Sequence, residues 1–203
     1  MKSYVFPGQG SQFCGMCNDL YQNYPILNEL FKSAEEILGF DISKIMFDGS
    51  KDELIQTKVT QPAIFIHSMA ILKVLGESYK PDQVAGHSLG EFSALVAARV
   101  VSFDEGLNLV SIRAKAMQKA CENSNGTMAA ILALENEIIE HVCSNIEGVV
   151  LAANYNCPGQ VVISGELKSV KKACEILTEK GARRALILPV SGAFHSSLMS
   201  EAK

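Results

Sequence analysis

The stretch VAGHSLGEFSALVAA, residues 84–98, decides how we interpret this chain. A short apolar piece runs into Gly86-His87-Ser88-Leu89-Gly90, and an alanine-rich helical pattern follows at once. A strand, a glycine-flanked turn and a helix in this order are typical of α/β proteins that expose a serine at the turn. We therefore predict that Ser88 is a nucleophile and that the N–H of Leu89 points to where an oxyanion forms. A purely structural turn is the alternative.

The second half of the chain predicts a separate small subdomain. From Gly126 to Pro189 the pattern is β-α-β-β-α-β, the split unit of a ferredoxin-like fold. We expect this subdomain, residues 126–189, to be inserted into a larger α/β domain made of residues 1–125 and 190–203. In that larger domain we predict one helix capped by Thr60, with Pro62 in its first turn. A second helix begins with the capping box that Ser102 opens and runs to about Cys121.

Composition and charge exclude several classes of protein. The chain has 203 residues, 48% of them hydrophobic, and a formal net charge of −4, so no excess of positive charge suggests a nucleic-acid or membrane surface. The first residues, MKSYVFPGQG, contain no long apolar stretch, and we predict a soluble cytoplasmic protein. Cys14 and Cys17 form a C-x-x-C, but the sequence has no second pair of ligands at zinc spacing, so we predict no metal site.

A nucleophilic serine needs a base, and the chain has four histidines. His195 follows a strand predicted to return to the large domain, and the loops after such strands carry the active-site residues of many α/β proteins. We therefore predict His195 as the base. His87 is adjacent to Ser88 and is expected to support the turn, whereas His67 and His141 are interpreted as ordinary packed or surface residues.

Arg113 occupies an unusual place in the helix that starts at Ser102. Helical spacing puts it on the apolar side of the helix, between Leu109 and Met117. A guanidinium there needs an anion, because an unpaired buried charge costs several kcal/mol. The residues alone leave three interpretations open: a salt bridge to an internal carboxylate, a side chain that snorkels to an edge of the apolar face, or a planar fork that binds a substrate carboxylate.

Several motifs in order resemble one family. The motifs are FPGQGSQ, TQPAIF, GHSLGE, IRAKAMQ around Arg113, NCPGQVVISG and PVSGAFHSSLM. Together they are similar to the malonyl-CoA:acyl-carrier-protein transacylases, whose fold also serves as the acyltransferase domain of polyketide synthases. The resemblance extends over essentially all 203 residues. It implies an α/β-hydrolase-like domain with a ferredoxin-like subdomain.

The resemblance also implies the chemistry of the site. Ser88 would carry the malonyl group as an ester, His195 would act as base and acid, and Arg113 would bind the free carboxylate. Backbone N–H groups of Gln9 and Leu89 would form the oxyanion hole. The implied partners are malonyl-CoA and the phosphopantetheine thiol of acyl carrier protein, without a metal or other cofactor.

Members of this family continue beyond the position that corresponds to Lys203, so we expect a C-terminally truncated chain that exposes apolar sheet edges and is poorly active alone. Two rival functions stay open on the sequence. A serine esterase or thioesterase would use the same turn but would have no need of Arg113. An inactive carrier-protein-binding fragment would need neither Ser88 nor His195.

Overall fold

The polypeptide forms a mixed arrangement of helices and strands, described by a computed structural model for residues 1–190 and 192–202. Within these residues the strands are β1 (Ser3–Phe6), β2 (Gln83–Gly86), β3 (Gly126–Leu132), β4 (Val150–Cys157), β5 (Gln160–Glu166) and β6 (Arg184–Ile187). The α-helices are α1 (Asn18–Asn23), α2 (Asn28–Leu38), α3 (Ile42–Asp48), α4 (Lys51–Leu54), α5 (Thr57–Leu75), α6 (Gly90–Ala97), α7 (Phe103–Glu122), α8 (Asn136–Ser144) and α9 (Leu167–Glu179). Short 3₁₀ segments occupy Pro25–Leu27, Gly76–Ser78 and Ser197–Ala202. The predicted α/β class is confirmed.

The chain divides into two compact units, Met1–Lys115 and Ala116–Lys203. The predicted discontinuous large domain, with residues 190–203 returning to it, stays a prediction. Ser191 and Lys203 of that segment lie outside the described residues.

In the first unit, two strands distant in sequence form a parallel pair. β1 lies beside β2 with Ser3 opposite Gln83 and Phe6 opposite Gly86. The N–H of His87 donates to the carbonyl of Phe6 at 3.0 Å, which extends the pairing into the serine turn. On one face of the pair, Tyr4 packs against the core, while Val5 on the other face is 72% exposed. β1 therefore fixes the end of β2 from which the turn starts.

Helix α5 forms the centre of the first unit. Its residues from Val59 to Ala70 are buried almost without interruption, among them Phe65 at 0% exposure. By length and composition the segment Thr57–Ser78 passes as a membrane-spanning helix, but 61% of its most apolar window is buried inside the protein, as in a core helix.

The predicted start of this helix was wrong by one turn. α5 begins at Thr57, and Pro62 lies inside it. The Thr60 hydroxyl does not cap the helix; it donates to the carbonyls of Leu54 and, at 3.1 Å, Gln56. These contacts tie the first turn of α5 to the end of α4, so the helix extends back past the predicted cap.

The capping box at the start of α7 is confirmed. The Ser102 N–H donates to the Glu105 carboxylate at 2.8 Å, and the Glu105 N–H donates to the Ser102 hydroxyl at 3.2 Å. Two N–H groups that would have no helical partner are thereby satisfied.

Replacing Ser102 with alanine is expected to lower the free energy of unfolding by about 1 kcal/mol, because it removes the acceptor for the Glu105 N–H. Urea unfolding measures the change. Asn108→Ala, at an exposed position within the same helix, is the control and should not destabilise the chain. Equal stability of Ser102→Ala and the unmodified chain would contradict the assignment.

The second unit contains the βαββαβ pattern in the predicted order. β3 and β5 are antiparallel neighbours, β4 lies outside β5, and β6 lies outside β3, giving the order β4-β5-β3-β6. Helices α8 and α9 pack on the sheet through a buried cluster that includes Ile139, Val170 and Leu177. This is the strand order of the split β-α-β fold, so the ferredoxin-like prediction is confirmed.

Candidate active site

Ser88 stands on a strained turn between β2 and α6. It has φ of 53°, in the left-handed region that serine rarely adopts. β2 ends at Gly86 and α6 begins at Gly90, so the turn is only three residues long. Strain of this kind persists where the surrounding structure enforces it, as in the nucleophile turn of serine acyl-transfer enzymes.

The glycines on either side of the serine are required by close backbone contacts. A side chain at Gly86 would overlap the backbone of Gly90, and a side chain at Gly90 would overlap the carbonyl of Phe6. Neither neighbour is a flexible side chain that could swing away. β1, β2 and α6 therefore meet backbone to backbone at the turn, which explains the G-x-S-x-G pattern.

Gly90→Ala is expected to destabilise the chain by about 3 kcal/mol or more, because its methyl group overlaps the backbone of β1. Gly39→Ala is the matched control: Gly39 is left-handed but has open space around it, so only the backbone penalty of about 1 to 2 kcal/mol applies. Denaturant unfolding of both variants measures the difference. Equal losses would show that the turn has room for a side chain.

One backbone donor of the Ser88 turn is left for an oxyanion. The N–H groups of Gly90, Glu91 and Phe92 donate to the three carbonyls of the turn at 2.9 to 3.1 Å. The N–H of Leu89, the residue after Ser88, has no acceptor among the described residues. Leu89 is also at the start of a helix, where the backbone dipoles favour a developing negative charge.

The turn that carries Gln9 lies beside the Ser88 turn. A side chain at Gly8 would overlap the carbonyl and the ring of His87. The Ser11 hydroxyl donates to the Gly8 carbonyl at 2.8 Å, and the Gly10 N–H donates to the Gln12 side chain at 2.8 Å. The Gln9 backbone is thus held next to the nucleophile turn, and its role in an oxyanion hole stays a prediction.

Arg113 contacts the side chain of Ser88 directly. Its Nη2 donates to the Ser88 hydroxyl at 3.0 Å, and its Nη1 donates to the Gln61 side-chain oxygen at 2.6 Å. The ring of Phe92 lies 5.8 Å from the guanidinium carbon, within the range of a cation–π contact. The structure therefore brings Ser88 and Arg113, 25 residues apart in sequence, into one site.

The side chains that accept hydrogen bonds from the charged Arg113 guanidinium, Gln61 and Ser88, are both neutral. Burial lowers the pKa of its guanidinium, and the Glu91 carboxylate acts in the opposite direction at longer range. Within residues 1–190 and 192–202, no carboxylate lies within ion-pair distance, 4.0 Å, of Arg113. Of the interpretations that the sequence left open, this arrangement favours the binding of a carboxylate from outside the chain over an internal salt bridge.

The orientation of α7 corrects one detail of the sequence analysis. Its buried face is centred on Val110, Ala114 and Cys121, while Leu109 is 43% exposed. Arg113 is therefore half-buried at the border of that face, not in its middle. The face is rotated away from Leu109, and this rotation lets the guanidinium reach the nucleophile.

Gln61 is the site residue that the analysis of individual side chains missed. It lies on α5 with its side chain at 0% exposure and accepts the hydrogen bond from Arg113. The available signal was a glutamine directly before the apolar run Pro62–Ile66, because an amide buried with such a run needs hydrogen-bond partners.

His195 lies in the second unit on a tight turn. Its φ is 59°, and its side chain is exposed. Ala193 and Phe194 before it are buried, and the Phe194 carbonyl accepts the Ser164 hydroxyl at 2.6 Å. The buried neighbours therefore hold the backbone of the turn, and the imidazole lies at the surface of the second unit. The predicted pairing of His195 with Ser88 stays a prediction.

The remaining histidines and the C-x-x-C pair have other surroundings. His67 is half-buried against Phe13, and burial lowers its pKa despite the opposing charge of Asp19. His141 is exposed on α8. Burial, with Asp19 nearby, raises the pKa of the Cys17 thiol to about 12. In the part of the chain that the structure describes, no cluster of three or more His, Cys, Asp or Glu side chains could hold a metal ion.

Comparisons of the chain with family models and with curated proteins both find proteins named for acyl transfer. The family model described as "Acyl transferase domain" matches residues 3–203. The malonyl CoA-acyl carrier protein transacylase of Haemophilus influenzae is 47% identical over 203 residues, which are 98% of this chain and 65% of that protein.

Solved structures agree with this chain over nearly its whole length. The acyl-carrier-protein S-malonyltransferase of Burkholderia pseudomallei superposes with a TM-score of 0.92 at 47% identity, covering 100% of this chain and 67% of that one. A malonyl transacylase in complex with its holo acyl carrier protein from a type II polyketide synthase gives 0.93 at 42% identity, covering 98% and 66%. The chain thus spans about two thirds of the length of these relatives.

Proposed function

The chain belongs to the acyl transferase domain family, and on that premise we propose that it transfers a malonyl group from malonyl-CoA to the phosphopantetheine thiol of an acyl carrier protein. The transfer passes through an ester on Ser88. We further propose that the reaction belongs to fatty-acid synthesis and takes place in the cytoplasm.

One observation carries this proposal: the hydrogen bond from Arg113 to the hydroxyl of Ser88 at 3.0 Å. A guanidinium beside a nucleophile is suited to an acyl group that ends in a carboxylate, because its N–H donors form charge-assisted hydrogen bonds with carboxylate oxygens. An acetyl group offers no such partner and leaves the charge unpaired in a partly desolvated site, which disfavours it. A simple esterase has no use for this arrangement.

The proposed mechanism gives one role to each of the predicted site residues. Ser88 Oγ attacks the thioester carbonyl carbon, and His195 takes the hydroxyl proton. The N–H groups of Leu89 and Gln9 stabilise the negative oxygen of the tetrahedral intermediate. The carbon–sulfur bond then breaks, the proton passes from His195 to the sulfur, and CoA leaves with the malonyl ester on Ser88.

The second half of the reaction runs the same steps in reverse. The carrier-protein thiol gives its proton to His195 and attacks the ester carbonyl, and the serine oxygen leaves and recovers a proton from His195. The chemistry needs no metal, because a thioester is already activated toward a serine nucleophile. Throughout, Arg113 holds the free carboxylate and keeps the acyl group in one orientation.

The test is incubation of the chain with malonyl-CoA and holo acyl carrier protein, followed by mass spectrometry of the carrier. We expect malonyl-carrier protein to form faster than free malonate. Release of malonate and CoA without transfer would indicate a thioesterase. Carrier binding without consumption of malonyl-CoA would indicate a non-catalytic binding module, and either outcome would overturn the proposal.

A further inference from the structure

We propose that Gln61 is a positioning residue for malonyl recognition: by accepting from Nη1 of Arg113, it presents Nη2 to the acyl group on Ser88. This inference rests on the proposed function and adds a residue that acts through its contact with the arginine.

Gln61 is fixed more firmly than the arginine it holds. Its side chain is 0% exposed on α5, between the buried residues Thr60 and Pro62. The Thr60 hydroxyl anchors the same turn to the carbonyl of Gln56 at 3.1 Å. Arg113 has a long side chain that is only half-buried. The short hydrogen bond of 2.6 Å therefore holds the guanidinium of a long side chain against the well-packed helix α5.

The amide suits this task better than a carboxylate would. A guanidinium only donates, so it selects the oxygen of the Gln61 amide as its acceptor and fixes the orientation of the amide group. Because the amide is neutral, it orients the guanidinium without cancelling its charge. A carboxylate at the same place would form an ion pair with Arg113 and compete with the carboxylate of the substrate.

The two ends of the guanidinium have different tasks in this arrangement. Nη1 stays on Gln61, while Nη2 contacts the Ser88 hydroxyl in the unloaded protein. After acylation the serine oxygen is part of an ester and is a weaker acceptor than a carboxylate. The malonyl carboxylate then takes over Nη2, and the arginine needs little reorganisation because Gln61 keeps its plane fixed.

The experiment compares acylation of Ser88 by malonyl-CoA and by acetyl-CoA in single turnovers, followed by mass spectrometry. Gln61→Met keeps length and packing but lacks the acceptor, and we expect the malonyl-to-acetyl preference to fall about 10- to 100-fold, as for loss of a hydrogen bond to a charged group. Gln61→Glu keeps the acceptor but neutralises the arginine, and we expect at least the same loss without a lower melting temperature.

Ile66→Val is the matched control for a purely structural effect. It removes one buried methylene group from the core face of α5 and leaves the hydrogen bond between Gln61 and Arg113 in place. We expect a lower melting temperature and an unchanged malonyl-to-acetyl preference. Gln61→Glu decides the question if Gln61→Met folds poorly, because its expected effect on preference does not depend on a loss of stability.

The outcomes separate this inference from the proposed function. If the unmodified chain shows no preference for malonyl, the proposed function fails, and this inference fails with it. If the unmodified chain prefers malonyl and both Gln61 variants keep that preference, only the positioning role is overturned. A fall in preference for the Gln61 variants but not for Ile66→Val supports both.

Discussion

Ser88→Ala is expected to form no acyl-enzyme and to lose malonyl transfer by about 10⁴-fold or more, the scale seen when an activated serine is removed. The residue supplies the oxygen that becomes the ester, and no other hydroxyl occupies the turn between β2 and α6. Stability should not fall, since alanine removes only the hydroxyl group. The measurement is the rate of malonyl transfer to the carrier-protein thiol.

Ser93→Ala is the matched control for this variant. Ser93 lies in α6, five residues along the chain from Ser88, and is fully buried. Its hydroxyl has no hydrogen-bond partner among the described residues, so its loss should leave the transfer rate unchanged. Residual acylation of the Ser88→Ala variant at the rate of the unmodified chain would mean that another residue carries the acyl group.

Arg113→Ala is expected to lower the ratio of malonyl to acetyl acylation rates by about 100-fold or more. The fall comes from the loss of the cation that pairs with the free carboxylate, so malonyl acylation slows while acetyl acylation is retained or rises. Arg113→Lys keeps a positive charge but cannot hold Gln61 and the carboxylate with one planar group, so an intermediate preference is expected. Competition between the two thioesters, read by mass spectrometry, measures it.

Lys115→Ala, at an exposed position of the same helix, controls for a general loss of positive charge and should keep the full preference. If Arg113→Ala slowed malonyl and acetyl acylation equally, the arginine would act on the nucleophile or on stability and not on the substrate carboxylate. If it changed neither rate, the esterase alternative would gain support.

Local patterns were sufficient to predict the fold of the second unit. Period-two and helical patterns alternate clearly from Gly126 onward, and the observed strands and helices follow them. The start of α5 was predicted wrongly because Pro62 suggests a first turn, whereas contacts of Thr60 with the preceding helix extend α5 back to Thr57. Contacts with other elements decided this boundary, and a pattern within one helix does not contain them.

The candidate site was predictable in part for the same reason. The glycines of the Ser88 turn lie within two residues of the serine and are visible in the sequence, although the need for Gly90 comes from its contact with Phe6 of β1. The exposure of Leu109 depends on how α7 is rotated against the core, which helical spacing alone does not determine. The hydrogen bond between Gln61 and Arg113 joins residues 52 positions apart, so it could be identified only from the folded structure.

The central claim is that Ser88 carries a malonyl ester whose carboxylate is bound by Arg113. The most direct measurement is peptide mapping by mass spectrometry after the chain has been mixed with equal amounts of malonyl-CoA and acetyl-CoA. The account predicts a single malonyl adduct on the peptide containing Ser88, with release of one CoA for each adduct. Predominant acetylation of Ser88, or a malonyl adduct on a different residue, would contradict it.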